Sequence, residues 1–222
     1  MPRTIVVLLL LGGGLRAAAA AEPGCASAAC INLVLDGDSI SAGVGASPGH
    51  TADRQMAAAL GEAVRLQNVA AGGRPVSECL QLYPVLVAPL FVPAAGSNVI
   101  VFHAGDNDIA RGRNAAQTYA AFTAYVAAAH QQGWKIVVST ELRRPDFPPP
   151  QEAELESYND RLRRNDAGAD AVVDLDAEPR MADLSYRADP EVFTPDRIHP
   201  SDGGYAVLAG LLAPAVRRVA GR

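Results

Sequence analysis

Along the chain, short apolar runs of strand length alternate with longer stretches whose apolar residues recur at helical spacing. Ile31 to Leu35 reads as a short buried strand, followed by a loop from Asp36 to Gly49 and a helix from about Thr51 to Val64. Leu66 to Ala70 reads as the second strand and ends at Gly72-Gly73. A second helical stretch starts near Ser77, with Pro84 and Pro89 limiting its regularity. Val99 to His103 is the third strand. Asn114 then caps a long helix to about Gln132, with Gln117 completing a capping-box pattern and Gly133 marking the stop. Ile136 to Thr140 is the fourth strand, and Pro145 to Pro150 reads as a rigid loop. A polar helix from about Glu152 to Asn165, a short fifth strand from Ala171 to Leu175, a loop of about twenty residues and a last helix capped by Ser201 complete the chain.

Strands alternating with helices predict an α/β fold, a parallel sheet covered on both faces as a three-layer α/β/α sandwich. In such sheets the chemistry sits in loops past the carboxyl ends of the strands. Asp38-Ser39, Gly73 and Asn107 all fall at such places.

The N-terminus is read apart from the fold. Arg3 precedes an apolar stretch from Thr4 to Leu15, and the alanines 17–21 offer an A-x-A cleavage site before Glu22. We therefore expect residues 1–21 to be a removable signal and 22–222 one domain, secreted or periplasmic, without stable membrane insertion. Removing Arg3 and Arg16 leaves 19 − 2 = 17 basic residues against 24 acidic ones. That balance argues against a nucleic-acid partner, since phosphate binding needs a basic face. In an oxidising compartment Cys25, Cys30 and Cys79 can form one disulfide and leave one thiol. Cys25–Cys30 is the local option, but Cys79 can take either partner. Cysteine spacing gives no metal site, and no cofactor is expected.

Asp36-Gly37-Asp38-Ser39 places a serine on a strand-to-helix turn, with Gly37 permitting the tight bend. A serine hydroxyl needs a base within hydrogen-bond reach. Of the four histidines, His50 and His130 read as structural or exposed, and His103 either lines the cleft or is a satisfied strand-end residue. His199 stands in Pro195-Asp196-Arg197-Ile198-His199-Pro200, where Pro200 favours an extended backbone at His199. Asp196 and His199 can then meet across a short turn, the carboxylate holding the imidazole's tautomer. Gly73 and Asn107 are candidate donors to an oxyanion. Each piece alone has a plainer reading as a turn.

Together the pieces resemble the GDSL/SGNH hydrolase family: Gly37-Asp38-Ser39, then Asn68 to Gly73, then Gly105-Asp106-Asn107-Asp108, then Asp196 to Ser201 followed by Gly203-Gly204-Tyr205. The resemblance implies a flavodoxin-like five-stranded parallel sheet and serine-dependent hydrolysis of a small-molecule acyl ester. Ser39 would be the nucleophile, His199 the base and Asp196 its orienter, with Ser39, Gly73 and Asn107 forming the oxyanion hole. Two departures stand out, Asp106 beside the oxyanion donor and Arg74-Pro75 after Gly73. Arg74, His103 and Arg143 are expected at the rim as substrate contacts.

Two other classes compete. Asp36-Gly37-Asp38 after a strand has the look of a magnesium-dependent phosphatase motif, but the only lysine, Lys135, falls after the later aspartates and His199 would be idle. A carbohydrate-binding module on the same fold would ordinarily lack a catalytic member, and none is missing. Within the esterases, acetyl-sugar esterase, arylesterase, thioesterase and lysophospholipase stay open, as does the oligomeric state. One Trp and 5% aromatics give little material for stacking sugars.

Overall fold

The computed structural model describes Cys25, residues 27–61 and residues 63–222; the expected signal, 1–21, lies outside them. Five strands, β1 (Ile31–Gly37), β2 (Val64–Asn68), β3 (Ser97–His103), β4 (Lys135–Ser139) and β5 (Ala171–Val173), form one parallel sheet in the order β2-β1-β3-β4-β5. The helices are α1 (Ala52–Leu60), α2 (Val76–Leu86), α3 (Asp106–Ala110), α4 (Ala115–Gln132), α5 (Pro149–Arg164), α6 (Pro179–Ala182) and α7 (Asp202–Val219).

Successive strand residues point to opposite faces, so a strand buried on both sides splits its apolar residues between two cores. Val34, Ile100, Phe102, Ile136 and Val138 pack with Phe122, Tyr125 and Leu155 from α4 and α5. Leu33, Leu35, Val99, Val101 and Val137 pack on the other face with Met56 of α1 and Leu212 and Val216 of α7. This is the expected three-layer sandwich. A third apolar cluster joins Ile40, Leu142, Leu175, Met181, Val192, Phe193 and Tyr205 past the carboxyl ends of the strands. It is the floor on which the functional loops rest.

The long helix begins as its sequence implies: Asn114 Oδ1 accepts from Gln117 N at 2.9 Å, Gln117 Oε1 accepts from Asn114 N at 3.1 Å, and Gly133 closes the helix at φ 97°. Other boundaries move. Pairing of Ile31 with Val64 through Leu35 with Asn68 draws β2 two residues toward the N-terminus. Gly61, at φ 100°, ends α1 before the expected Val64. The rigid Pro145–Pro150 loop is shorter than expected, because Pro149 and Pro150 enter the first turn of α5, where no backbone N–H is required. The long loop after β5 contains 3₁₀ turns at Leu175–Ala177 and Leu184–Ala188 with α6 between them. Asp174, Glu178 and Asp183 start these short turns by accepting from backbone N–H groups two residues ahead.

Cys25 and Cys30 form the disulfide, and Cys79 is a buried free thiol on α2. Among the described residues, no helix is long and apolar enough to cross a membrane.

Candidate active site

Strand β1 leaves the sheet between β2 and β3, so its carboxyl end opens at the point where the strand order reverses, the usual ligand crevice of such sheets. The exit depends on Gly37. Its φ is 141°, and an ideal Cβ there would lie 1.9 Å from the His103 carbonyl oxygen. Any side chain would push β1 from β3. Asp38 N then donates to His103 O at 3.1 Å, and Ala71 N donates to Gly37 O at 3.1 Å, tying the turn to both neighbouring strands. Asp38 Oδ1 accepts from Ile40 N at 2.9 Å, and Asn68 Nδ2 donates to Ser41 O at 2.8 Å. Ser39 is thus held at the crest of a braced turn.

His199 comes from the other end of the chain. Residues 194–199 form a loop whose base is closed by the antiparallel bridge between Phe193 and Pro200. Thr194 N donates to His199 O at 2.9 Å, and Arg197 turns the chain at φ 62°. This left-handed conformation is uncommon for a residue other than glycine and carries some strain. It lets the Asp196 carboxylate fold back over the loop. Asp196 Oδ1 accepts from Thr194 Oγ1 at 2.7 Å, Ile198 N at 2.9 Å and His199 N at 3.0 Å, leaving Oδ2 at 2.6 Å from His199 Nδ1. Partial burial works against its charge, but these four donors, the His199 ring first, hold the Asp196 carboxyl well below the usual carboxylate range. His199 Nε2 lies 2.8 Å from Ser39 Oγ. A hydroxyl, an imidazole and an ionised carboxylate are thus joined through hydrogen-bond contacts.

Gly73, at φ 73°, lies in the turn after β2, and an ideal Cβ on its neighbour Gly72 would stand 3.9 Å from Ser39 Cβ. The Gly73 carbonyl is held by Arg111 Nη2 at 2.7 Å. Asn107 is half-buried in the first turn of α3, past the carboxyl end of β3. The turns carrying Gly73, Ser39 and Asn107 thus follow three adjacent strands.

The expected rim residues are placed otherwise. Arg74 is buried, with Nη1 at 3.0 Å from Asp36 Oδ1 and 2.8 Å from Val69 O. The charge of Asp36 draws it under the sheet edge rather than toward a substrate. Arg143 pairs with Glu152 and borders a cleft of about 250 Å³ whose walls include neither Ser39 nor His199. His103 is also buried: its Nδ1 is 2.7 Å from Ser139 Oγ, and burial pushes its pKa down to about 4 despite the upward pull of Asp106. Arg74 and His103 are thus buried, while Arg143 is engaged with Glu152. A larger cleft of about 680 Å³, lined by Gly45, Arg180, Glu191 and Asp202 among others, lies beside the His199 loop and includes no atom of the Ser39–His199–Asp196 chain.

Phosphatase chemistry at Asp36 has no geometric support. Asp36 is 1% exposed, and its oxygens accept from Gly37 N at 2.8 Å, Arg74 Nη1 at 3.0 Å and Tyr125 Oη at 2.8 Å. It is a structural acid. Sequence reasoning missed other contributors. Thr194 orients Asp196, and Asp108 Oδ2 accepts from Val76 N at 2.7 Å, fixing the start of α2 just after Gly73. The threonine two residues before an aspartate was a local signal for the first. Nothing local marked the second.

Solved structures share the fold. A member of the lipolytic G-D-S-L family from Veillonella parvula aligns over 87% of this chain and 100% of its own, at 21% identity and a TM-score of 0.66. An acetyl xylan esterase, AlAXEase, aligns over 83% and 99% at 20% identity and a TM-score of 0.66. The psychrotrophic esterase EstA from Pseudoalteromonas sp., in a structure inhibited by monoethylphosphonate, aligns over 86% and 99% at 14% identity and a TM-score of 0.65. No curated protein matches by sequence. The family model for GDSL-like lipases and acylhydrolases matches residues 37–207, from the glycine that opens the Ser39 turn to the helix behind His199, and the chain is therefore a carboxylic ester hydrolase of the GDSL-like lipase/acylhydrolase family.

Proposed function

We propose that the chain is an exported esterase that cleaves small acyl esters through an acyl-enzyme on Ser39. The observation that carries the reading is the continuous Ser39–His199–Asp196 chain, at 2.8 and 2.6 Å. Ser39 Oγ attacks the ester carbonyl carbon while His199 Nε2 takes the hydroxyl proton. The bond to the alcohol oxygen then breaks, and that proton passes to the departing alcohol. Water, deprotonated by the same nitrogen, attacks the acyl carbon, releases the acid and restores Ser39. Asp196 keeps the proton of the neutral ring on Nδ1 and stabilises the imidazolium formed in each half. The Ser39 and Gly73 N–H groups and the Asn107 amide receive the oxyanion, each donor worth about a hundred- to a thousand-fold in rate.

Small acyl groups are favoured over polysaccharide esters because the single Trp, Trp134, is buried in the core and unavailable for stacking on sugar rings. Export is supported by the Cys25–Cys30 disulfide, which needs an oxidising compartment to persist.

The test is covalent labelling with a fluorophosphonate, followed by turnover of nitrophenyl esters of rising chain length alongside acetylated xylooligosaccharides. We expect stoichiometric labelling that disappears in Ser39→Ala and turnover that peaks at acetyl or butyryl esters. Absence of labelling in a folded wild-type protein would reject the enzyme in favour of a binding module. A preference for the acetylated sugar would move the substrate to that class.

A further inference from the structure

Beneath the Ser39 turn, on its core side, lies a group of polar side chains that the ester chemistry does not use. Asp38 follows β1, His103 ends β3, Asp106 begins α3, and Glu141 lies just past β4. They are 0%, 4%, 6% and 1% exposed. Each carries an atom with no hydrogen-bond partner: Asp38 Oδ2, His103 Nε2, Asp106 Oδ1 and Glu141 Oε1. Buried polar atoms are ordinarily paired, and four orphans in one place call for an explanation.

Charge sharpens the question. Of the nearby guanidinium groups, Arg144 meets Asp106 at 3.0 Å, Arg74 is taken by Asp36 at 3.0 Å, and Arg113 faces Asp108 at 3.6 Å. Asp38 and Glu141 therefore have no guanidinium of their own. Burial first, and neighbouring carboxyl groups second, make the charged form of each costly. Either protons or a cation must neutralise them.

His103 Nδ1 is bonded to Ser139 Oγ at 2.7 Å, leaving Nε2 to face Glu141 Oε2 at 3.5 Å. That gap is long for a hydrogen bond. It is the spacing of two ligands about 110° apart on a metal with bonds of about 2.1 Å. One ligand atom from each of Asp38, His103 and Glu141 lies within 4.8 Å of the others. Glu141 is itself fixed by its backbone, since its N donates to Asn159 Oδ1 at 2.7 Å and its O accepts from Asn159 Nδ2 at 2.9 Å. We propose that Asp38, His103 and Glu141 bind a zinc ion, with Asp106 bordering the fourth position and Ser139 orienting the imidazole. One imidazole with two carboxylates suits a borderline cation such as zinc.

The ion is a positioning element and touches no reacting atom. It fixes the Asp38 carboxyl, whose other oxygen holds Ile40 N and with it the turn beneath Ser39. Cysteine spacing could not reveal such a site, because its ligands come from the ends of three separate strands.

The test uses the full exported chain produced in zinc-supplemented medium and, separately, with cobalt. Metal content per chain, melting temperature before and after prolonged chelation, and the visible spectrum of the cobalt form are read. We expect close to one zinc per chain, a lower melting temperature after chelation that zinc restores, and a cobalt spectrum of tetrahedral intensity. Glu141→Gln and His103→Gln should each lower bound zinc by about tenfold or more, and Ser139→Ala should weaken affinity by about 10- to 100-fold. Wild-type protein without stoichiometric metal and with a melting temperature indifferent to chelator would overturn the proposal and assign the neutralisation to protons. Zinc retained equally by a folded Glu141→Gln would overturn it too. Should both ligand variants fail to fold, the wild-type metal content and cobalt spectrum decide. These readouts do not involve ester turnover, so the site stands or falls apart from the esterase reading.

Discussion

Replacing Asp196 with Asn tests the catalytic chain most sharply, because the surroundings dictate how the amide must sit. Three donors, Thr194 Oγ1, Ile198 N and His199 N, converge on Asp196 Oδ1. An asparagine keeps those bonds only by placing its oxygen there, which turns its NH₂ toward His199 Nδ1. That nitrogen must then accept rather than donate, so the ring proton moves to Nε2, the atom facing Ser39 Oγ at 2.8 Å. An Nε2–H cannot take the serine's proton. The same tautomer trap costs serine proteases about 10⁴-fold in kcat, or about 5 kcal/mol of barrier, and we predict a loss of that order. Folding stability should change by no more than about 1 kcal/mol, since the three bonds survive and Asp196 is about half exposed at 48%. The assay is kcat and KM on nitrophenyl acetate, with urea denaturation in parallel. A folded Asp196→Asn keeping more than about a tenth of wild-type kcat would refute the tautomer argument.

Other expectations follow from the same geometry. Asp196 makes stability depend on pH: its folded pKa is depressed, so the stability it adds is present above the unfolded carboxylate value, about 3.9, and disappears only as pH falls through the folded value, which urea denaturation at graded pH would read. Arg74→Leu should cost about 3–5 kcal/mol by leaving the Asp36 charge buried and uncompensated; a loss below about 1 kcal/mol in urea denaturation would show that Tyr125 and Gly37 suffice. Reducing Cys25–Cys30 should lower stability by about 2 kcal/mol, the loop-entropy value for so short a closure. Cys79 is fully buried, and burial raises its thiol pKa, so a thiol reagent should find one reactive group only after denaturation.

Much of the framework is written locally. Apolar runs of strand length alternating with helical patterns determined the layered α/β architecture, and the Asn114 capping box and Gly133 stop are contained within a few residues of the bonds they make. The Asp196–His199 pair was legible for the same reason, three residues apart before a proline. Ser39, Gly73 and Asn107 could be placed because each follows a strand, and parallel strands present their carboxyl ends together. Local patterns determined these features because each rests on backbone geometry and spacing within a few residues.

Tertiary structure alone decided what depends on partners far along the chain. Arg74 is drawn inward because Asp36, on the neighbouring strand, is a buried charge that needs it. The pairing of β2 with β1 moved that strand by two residues, since hydrogen bonds to a neighbour override the edges of an apolar run. Cys25 bonds Cys30 while Cys79 is folded into the core of α2. The meeting of Asp38, His103, Asp106 and Glu141 arises because adjacent parallel strands end at one level and bring together residues that the sequence scatters over more than a hundred positions. Burial and electrostatics act through space, and only the fold says which charges share the same dry pocket.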